Sequence, residues 1–471
     1  MEEYIKLLLE QVRFQKAHKT IAEEIRSHIE DQIEANLSEG MDRDTAEKQA
    51  VEDMGDPVEV GISLDRVHKP KFAWGMVLAT IGAGLIGAVI QFFLAGDTTM
   101  QNFAQQMGYA TADSLDGYSF LLSTVVGIFI MLSLYLLDYT TISKYSSVVA
   151  GAFITIFLIT YLPLKLYWFF TTAGTGMDLG YDDYPKFFIL LGEIRLRLRL
   201  NSVMMLLVPL YAGIIYKYRG QGYKALFKAT SWILLPYVFS FCNGALVVYY
   251  AVIAGSMLVQ LTIAIKKDWI KVRKAPVFIT MWSVFVLPLI LCLRAGFKQS
   301  IDISMHLTWN RAMKNLVDSM YLFGGGMYKG WGDVHIPASS FVPDPKCSFI
   351  LTYVSTTWGV AAGIAVIVIL IGLIVCGFVA MSRCKNQLGF VMGMGCIMWI
   401  AANVMINTFG AFGMLPFNSA YSTFLPFVSS SSAMSNYSYV ALGILLSIYK
   451  YKDAYPKHVD ISTRNRVKDM E

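Results

Sequence analysis

The chain has 471 residues, of which 55% are apolar and only 15% charged, against about 25% charged in soluble domains. Its net charge of +5 joins two unlike parts: residues 1–71 hold 17 acids and 10 bases, a net −7, and the remaining 400 hold 17 acids and 29 bases, a net +12. With a mean hydropathy of +0.50, these figures exclude a secreted enzyme, a nucleic-acid-binding domain and a disordered chain as descriptions of the whole.

From Glu2 to Glu39 the apolar positions Ile5, Leu8, Leu9, Val12, Ile21, Ile25, Ile29 and Ile33 recur at helical spacing, with acids on the solvent side. Gly40 offers a stop, a second helix starts at Asp44 and ends at Met54-Gly55-Asp56-Pro57, and a third short one follows from Val58. Residues 1–71 are therefore expected to form a small helical bundle on the cytosolic side. The first apolar span begins only near Phe72, so no signal peptide is expected.

A bilayer-spanning helix needs about 20 mostly apolar residues. Residues 72–95, 118–137, 147–169, 276–294, 350–380 and 388–410 qualify, and 202–216 and 435–449 are weaker spans. The stretch 229–265 is too long for one crossing and is divided at Asn243-Gly244. The expected fold class is all-α: a polytopic membrane protein of about ten transmembrane helices over 72–452, preceded by the bundle and followed by a cytosolic tail, 453–471. Loops 217–228, 266–274 and 381–387 are dense in Lys and Arg, whereas 96–117 and 411–434 contain none. The positive-inside rule then puts both termini in the cytoplasm.

On the opposite side, basic residues need another cause. The alternating Arg195, Arg197 and Arg199 suit bidentate contact with a pyrophosphate or, equally, snorkelling to lipid headgroups. Lys165, near the outer end of the third span, is costly in hydrocarbon and so a site candidate, and snorkelling explains it equally well. Residues 295–349 form the longest stretch outside the spans in the body, with Trp309, Trp331, a helical pattern around Leu307–Leu322 and the cluster Gly324-Gly325-Gly326. The glycines lack the GxxxxGK[ST] of a phosphate loop and are expected to let the backbone turn tightly. The six cysteines show no CxxC pair or Cys/His ladder, so neither zinc nor a disulfide framework is expected.

The ordered segments GGGMYKGWG (324–332), VPDPKCSFI (342–350) and INTFGAFGMLPFNSAYSTFLPFVSSSSAMSN (406–436) resemble the SEDS family of FtsW, RodA and SpoVE. Asn407, Gly410, Gly413, Leu415, Pro416, Leu425, Pro426, Phe427, Ser429 and Ser432 fall on matching positions of the last segment. Residues 45–61 resemble the permease-prefix (HAAS-type) helical domain found ahead of bacterial membrane proteins. The SEDS resemblance implies a multi-pass protein of the bacterial plasma membrane that polymerises lipid II, the undecaprenyl-diphosphate disaccharide-pentapeptide, in cell shape or division. It implies a class B penicillin-binding protein as partner, no nucleic acid and no cofactor, with a divalent cation left open.

The family's catalytic Asp falls on Ser348 here, and the nearby carboxylate is Asp344, four residues earlier. A carboxylate there would accept the proton of an attacking sugar hydroxyl, whereas a serine is a poor base. Pro345 argues against a regular helix carrying Asp344 to the same face. Asp344 and Ser348 are thus the catalytic candidates, and Arg195, Arg197, Arg199, Lys165, Lys346, Asn407 and Ser429 the substrate-binding ones. A non-catalytic scaffold of wall synthesis and a lipid-linked sugar flippase remain alternatives.

Overall fold

The computed structural model describes residues 1–97, 117–172, 186–191, 194–199, 203–242, 247–299, 303–328, 336–342, 344–414, 424–430 and 434–459. The N-terminal bundle comprises α1 (Glu2–Glu10), α2 (His18–Ser38), α3 (Arg43–Asp53) and α4 (Pro57–His68). The stretch expected as one helix over 2–39 is broken at residues 11–17, because Arg13 turns away to Asp65. Its backbone N–H donates to Oδ1 at 3.0 Å and its guanidinium to Oδ2 at 2.6 and 3.0 Å. The hydrogen bonds from Arg13 hold the Asp65 carboxyl below the usual carboxylate range. Asp42 and Asp56 cap α3 and α4, as expected of acids preceding a helix, and Pro57 fills the first turn of α4. Tyr4, Ile5, Leu8, Ile21, Ile25 and Ile29 form a core separate from that of the body.

The body comprises α5 (Trp74–Gly96), α6 (Gly117–Leu136), α7 (Tyr139–Thr172), α8 (Leu207–Tyr216), α9 (Tyr223–Cys242), α10 (Val247–Lys266), α11 (Lys274–Gln299), α12 (Ile303–Asp318), α13 (Ile350–Trp358), α14 (Val360–Ser382), α15 (Gln387–Ala411) and α16 (Met434–Lys450). Among the described residues, five helices are long and apolar enough to cross a membrane by length and composition: α5, α6, α10, α14 and α15. Helices α7, α8, α9, α11 and α16 coincide with the other expected spans. The chain is a multi-pass helical membrane protein.

Small residues let these helices approach closely, as lipid-embedded packing requires. A Cβ on Gly127 would overlap the Tyr439 ring, and one on Gly443 would lie 2.8 Å from the Met131 carbonyl, so α6 and α16 interlock. Gln260, buried mid-span, donates to the Val208 carbonyl at 2.8 Å and ties α10 to α8.

Two departures from the sequence reading matter. The span expected over 350–380 is broken at Gly359 (φ +100°, ψ 161°), a conformation open essentially to glycine alone. A Cβ there would sit 2.7 Å from both the Leu322 carbonyl and the Phe323 Cα. The expected glycine turn crosses at this break: Gly324 N–H donates to Trp358 O (3.1 Å), Gly326 N–H to Thr356 O (2.8 Å) and Val360 N–H to Tyr321 O (2.9 Å). The second departure is a hairpin, β1 (Lys186–Leu191) and β2 (Ile194–Arg199), antiparallel in the register Lys186↔Arg199. It is a small addition to an otherwise helical fold.

At the end of the bundle nearest the N-terminal domain, here the head end, residues 451–459 fold back across the helices. Tyr455 OH donates to Asp138, Asn386 Nδ2 to Pro456 O (2.6 Å), Gln387 N–H to Lys457 O (3.1 Å) and Tyr216 OH to Val459 O (2.9 Å). The N-terminal domain meets this strap through Phe14, whose ring lies 5.4 Å from Tyr451 and 5.8 Å from Tyr455. Lys71 adds an ion pair to Asp453 at 2.7 Å.

Candidate functional site

The segment carrying Asp344 and Ser348 lies at the far end of the bundle, opposite the head end. Residues 344–349 form a tight turn leading into α13: the N–H groups of Cys347 and Phe349 both donate to Asp344 O at 3.2 Å. Asp344 adopts φ +40°, a left-handed conformation that costs a non-glycine residue free energy and is found where surrounding structure enforces it.

Residue 344 lies in this turn and not on a helix, as Pro345 requires. The Asp344 carboxylate folds back, and its Oδ2 accepts the Ser348 N–H at 3.0 Å. Asp344 is open to solvent, whereas Ser348 is buried. Surrounding protein still strips the carboxylate of much of its hydration, and this desolvation raises its pKa above the ordinary value. The Ser348 hydrogen bonds and the charge of Lys346 oppose the rise without cancelling it.

Three distant segments hold the turn. Asn407 on α15, fully buried, donates from Nδ2 to Ser348 O at 2.9 Å. Ser429, also buried, donates from Oγ to Cys347 O at 2.7 Å and accepts the Leu425 N–H at 2.7 Å. Ser430 N–H donates to Lys346 O at 2.7 Å. Asn407 and Ser429, substrate-binding candidates of the sequence, each donate to a backbone carbonyl of the turn and help to position it. The 424–430 loop carries a second left-handed non-glycine residue, Phe427 at φ +67°. Helix α5 approaches it so closely that a Cβ on Gly87 would strike the Phe427 carbonyl.

One residue that sequence reasoning missed joins these parts. Gln91 on α5, buried, directs its Nε2 to both Lys346 O and Val428 O, each at 3.0 Å. The available signal was an amide in the apolar run Ala88–Phe93, a costly placement unless its hydrogen bonds are used.

The remaining candidates are dispersed. Arg195, Arg197 and Arg199 occupy alternate positions of β2, opposite Leu190, Phe188 and Lys186. Lys165 lies on α7. The side chains of these four, and Trp309, Lys329, Trp331, Leu415, Pro416 and Ser432, lie outside the described residues. Among the described residues, no group of three or more His, Cys, Asp or Glu is placed to hold a metal ion.

Comparison with known proteins bears on the same region. The family model of the FtsW/RodA/SpoVE type, described as a cell cycle protein, matches residues 314–454. No curated protein matches in sequence. Among solved structures, a chain of a peptidoglycan synthase complex, studied for the structural coordination of polymerization and crosslinking, is 13% identical. The alignment covers 81% of this chain and 99% of that one, with a TM-score of 0.50. Two crystal structures of the Thermus thermophilus rod shape determining protein RodA, one of them a variant, are 13% and 14% identical. They cover 81% of this chain and 97% and 98% of theirs, with TM-scores of 0.46 and 0.47. The 344–349 turn, Asn407 and Ser429 lie within the residues that match the FtsW/RodA/SpoVE model.

Proposed function

We propose that this chain of the FtsW/RodA/SpoVE type serves peptidoglycan synthesis in the bacterial membrane, joining lipid-linked saccharides with Asp344 as general base. The observation that carries the reading is the Asp344 carboxylate folded onto the Ser348 N–H at 3.0 Å. The family's carboxylate would project from residue 348; the turn brings a carboxylate back to that backbone from residue 344. A strained, solvent-open carboxylate with a raised pKa suits a base working near neutral pH.

The acceptor sugar hydroxyl would attack the donor's anomeric carbon and lose its proton to Asp344. The bond from that carbon to the diphosphate breaks as the new glycosidic bond forms, and the lipid diphosphate leaves. The arginines of β2, with Lys165 and Lys346, are proposed to neutralise that diphosphate. Lipid II is the proposed substrate. A class B penicillin-binding protein is the proposed partner, supported by the likeness to a chain of a peptidoglycan synthase complex. The bases of loops 217–228, 266–274 and 381–387 support a cytoplasmic head end, which puts the 344–349 turn outside.

A buried serine at the family's Asp position favours a second reading, a scaffold without activity. Polymerisation of purified lipid II, with and without the penicillin-binding protein, separates the two. The enzyme reading expects glycan strands from wild type and a loss of about 10²–10⁴ in rate for Asp344→Ala. Wild type inert under both conditions, with Ser348→Asp equally inert, leaves the scaffold.

A further inference from the structure

Phe14 lies in the break between α1 and α2 and, among the described apolar residues, is the one that packs against both the core of the N-terminal domain and that of the body. The residue before it makes the break: Arg13 turns to Asp65, and Phe14, next in the chain, is left to the strap. Its ring meets Tyr451 stacked, at 27°, and Tyr455 edge-on, at 75°. The N-terminal domain is thus seated on the strap by an aromatic clasp, with the Lys71–Asp453 ion pair as a second point of attachment.

The strap is in turn gripped by the helices that hold the candidate site. At the head end of α15, Asn386 Nδ2 donates to Pro456 O and the Gln387 N–H to Lys457 O. About 30 Å along the same helix, Asn407 holds Ser348 O. Helix α5 repeats the arrangement. The Lys71 N–H, just ahead of it, donates at 3.0 Å to Lys450 O, where the strap begins, and Gln91, toward its other end, holds Lys346 O and Val428 O. Two helices therefore have one end on the strap and the other on the 344–349 turn.

Chains of hydrogen bonds joined by rigid helices carry coupling between distant sites, and the coupling is read by perturbing one end and observing the other. The turn is a sensitive receiver. Asp344 at φ +40° and Phe427 at φ +67° keep left-handed conformations only while their neighbours enforce them. We propose that the N-terminal domain regulates the candidate site from the opposite end of the bundle: seated through Phe14, it braces α5 and α15 and so the turn, and unseating it loosens the turn. The inference rests on the proposed function only for what the turn does, and the bracing itself is read without substrate.

Native cysteines supply the readout. Cys384 lies beside the strap, where the Lys385 N–H donates to Lys452 O at 3.3 Å; its Sγ donates to Asn386 O, and burial pushes its thiol up to about 11. Cys347 lies in the turn, and Cys396 is fully buried in the middle of α15. The purified full chain is labelled with maleimide in detergent, and each cysteine is followed by peptide mass spectrometry in wild type, Phe14→Ala and Phe14→Tyr. Phe14→Ala, which removes two ring contacts, is expected to speed Cys384 about tenfold. It should speed Cys347 at least about threefold, with Cys396 as slow as in wild type. Phe14→Tyr keeps the ring and the wild-type rates. Faster Cys384 with Cys347 unchanged in Phe14→Ala overturns the proposal, since the strap then opens and the turn does not follow. Unchanged Cys384 overturns it equally, because the clasp does not hold the strap, and so does Cys396 rising in step with Cys347, because the whole body has loosened. Wild type inert toward lipid II, with the labelling as expected, counts against the proposed function and leaves the bracing standing.

Discussion

Gln91 is the residue on which the geometry of the candidate site most depends, and Gln91→Met tests that dependence. Methionine matches the length of glutamine and suits the apolar surroundings, so the substitution removes two hydrogen bonds with little change in volume. The two carbonyls do not lose equally. Lys346 O keeps the Ser430 N–H at 2.7 Å, so one bond is lost there at a cost of about 1 kcal/mol. Val428 O loses the buried partner that Gln91 supplies at 3.0 Å, a desolvation cost of about 1–3 kcal/mol. The sum, about 2–4 kcal/mol, falls on the contact between the 344–349 turn and the 424–430 loop. It should appear as a lower melting temperature in detergent and as faster maleimide labelling of Cys347, a partly buried thiol inside the turn that is in no disulfide. Gln91→Glu should be worse near neutral pH, since a carboxylate would face two carbonyl oxygens, and should recover as the pH falls. Unchanged melting and unchanged Cys347 labelling in Gln91→Met would refute the claim that this amide holds the turn.

Gly359→Ala places a Cβ at φ +100°, 2.7 Å from the Leu322 carbonyl, so a destabilisation of at least about 2 kcal/mol is expected in denaturant or thermal unfolding. Asn386→Asp separates two roles of one side chain: the cap on Gly389 N–H survives, while the donor to Pro456 O is lost. Limited proteolysis should then cut the 451–459 strap faster with α15 intact. Asp344→Asn bears on pH dependence. The folded-state pKa of Asp344 is raised above the ordinary 3.8, so the native state holds its proton more tightly than the unfolded chain. The ionised form therefore lowers stability as pH rises from about 3.8 through the raised value. The amide keeps an acceptor for Ser348 N–H, so its melting temperature at neutral pH should exceed that of wild type and lose this acid-side dependence.

The spans were legible because hydrocarbon admits little else: helices α5, α6, α14 and α15 follow runs of apolar residues long enough to cross. The break at Gly359 was hidden because residues 350–380 are apolar on both sides of it. What breaks the helix is a backbone crossing at 322–324, and a crossing made of main-chain hydrogen bonds leaves little trace in side-chain hydropathy. The break at 11–17 was masked likewise, since apolar spacing continues across it while Arg13 turns to Asp65, a partner 52 residues away. The hairpin had a signal in the period-two alternation of Arg195–Arg199, read instead as charge at an interface. At the site, motif matching picked out Asn407 and Ser429, and the structure gives them a positioning role. The return of Asp344 to Ser348 depends on a positive φ ahead of Pro345 that no residue type at position 344 announces. Gln91 was legible only as an anomaly, one amide in an apolar helix.

The proposed function requires a carboxylate supplied from residue 344, where the resemblance to the SEDS family expects one at residue 348. The most direct measurement is the rate of glycan formation from lipid II by the purified full chain as a function of pH, wild type against Asp344→Asn. Wild type is expected to lose rate on the acid side with an apparent pKa above 3.8, and Asp344→Asn, folded and at least as stable, to fall by about 10²–10⁴ across the range. A polymerising wild type whose rate and pH profile are shared by Asp344→Asn would contradict it.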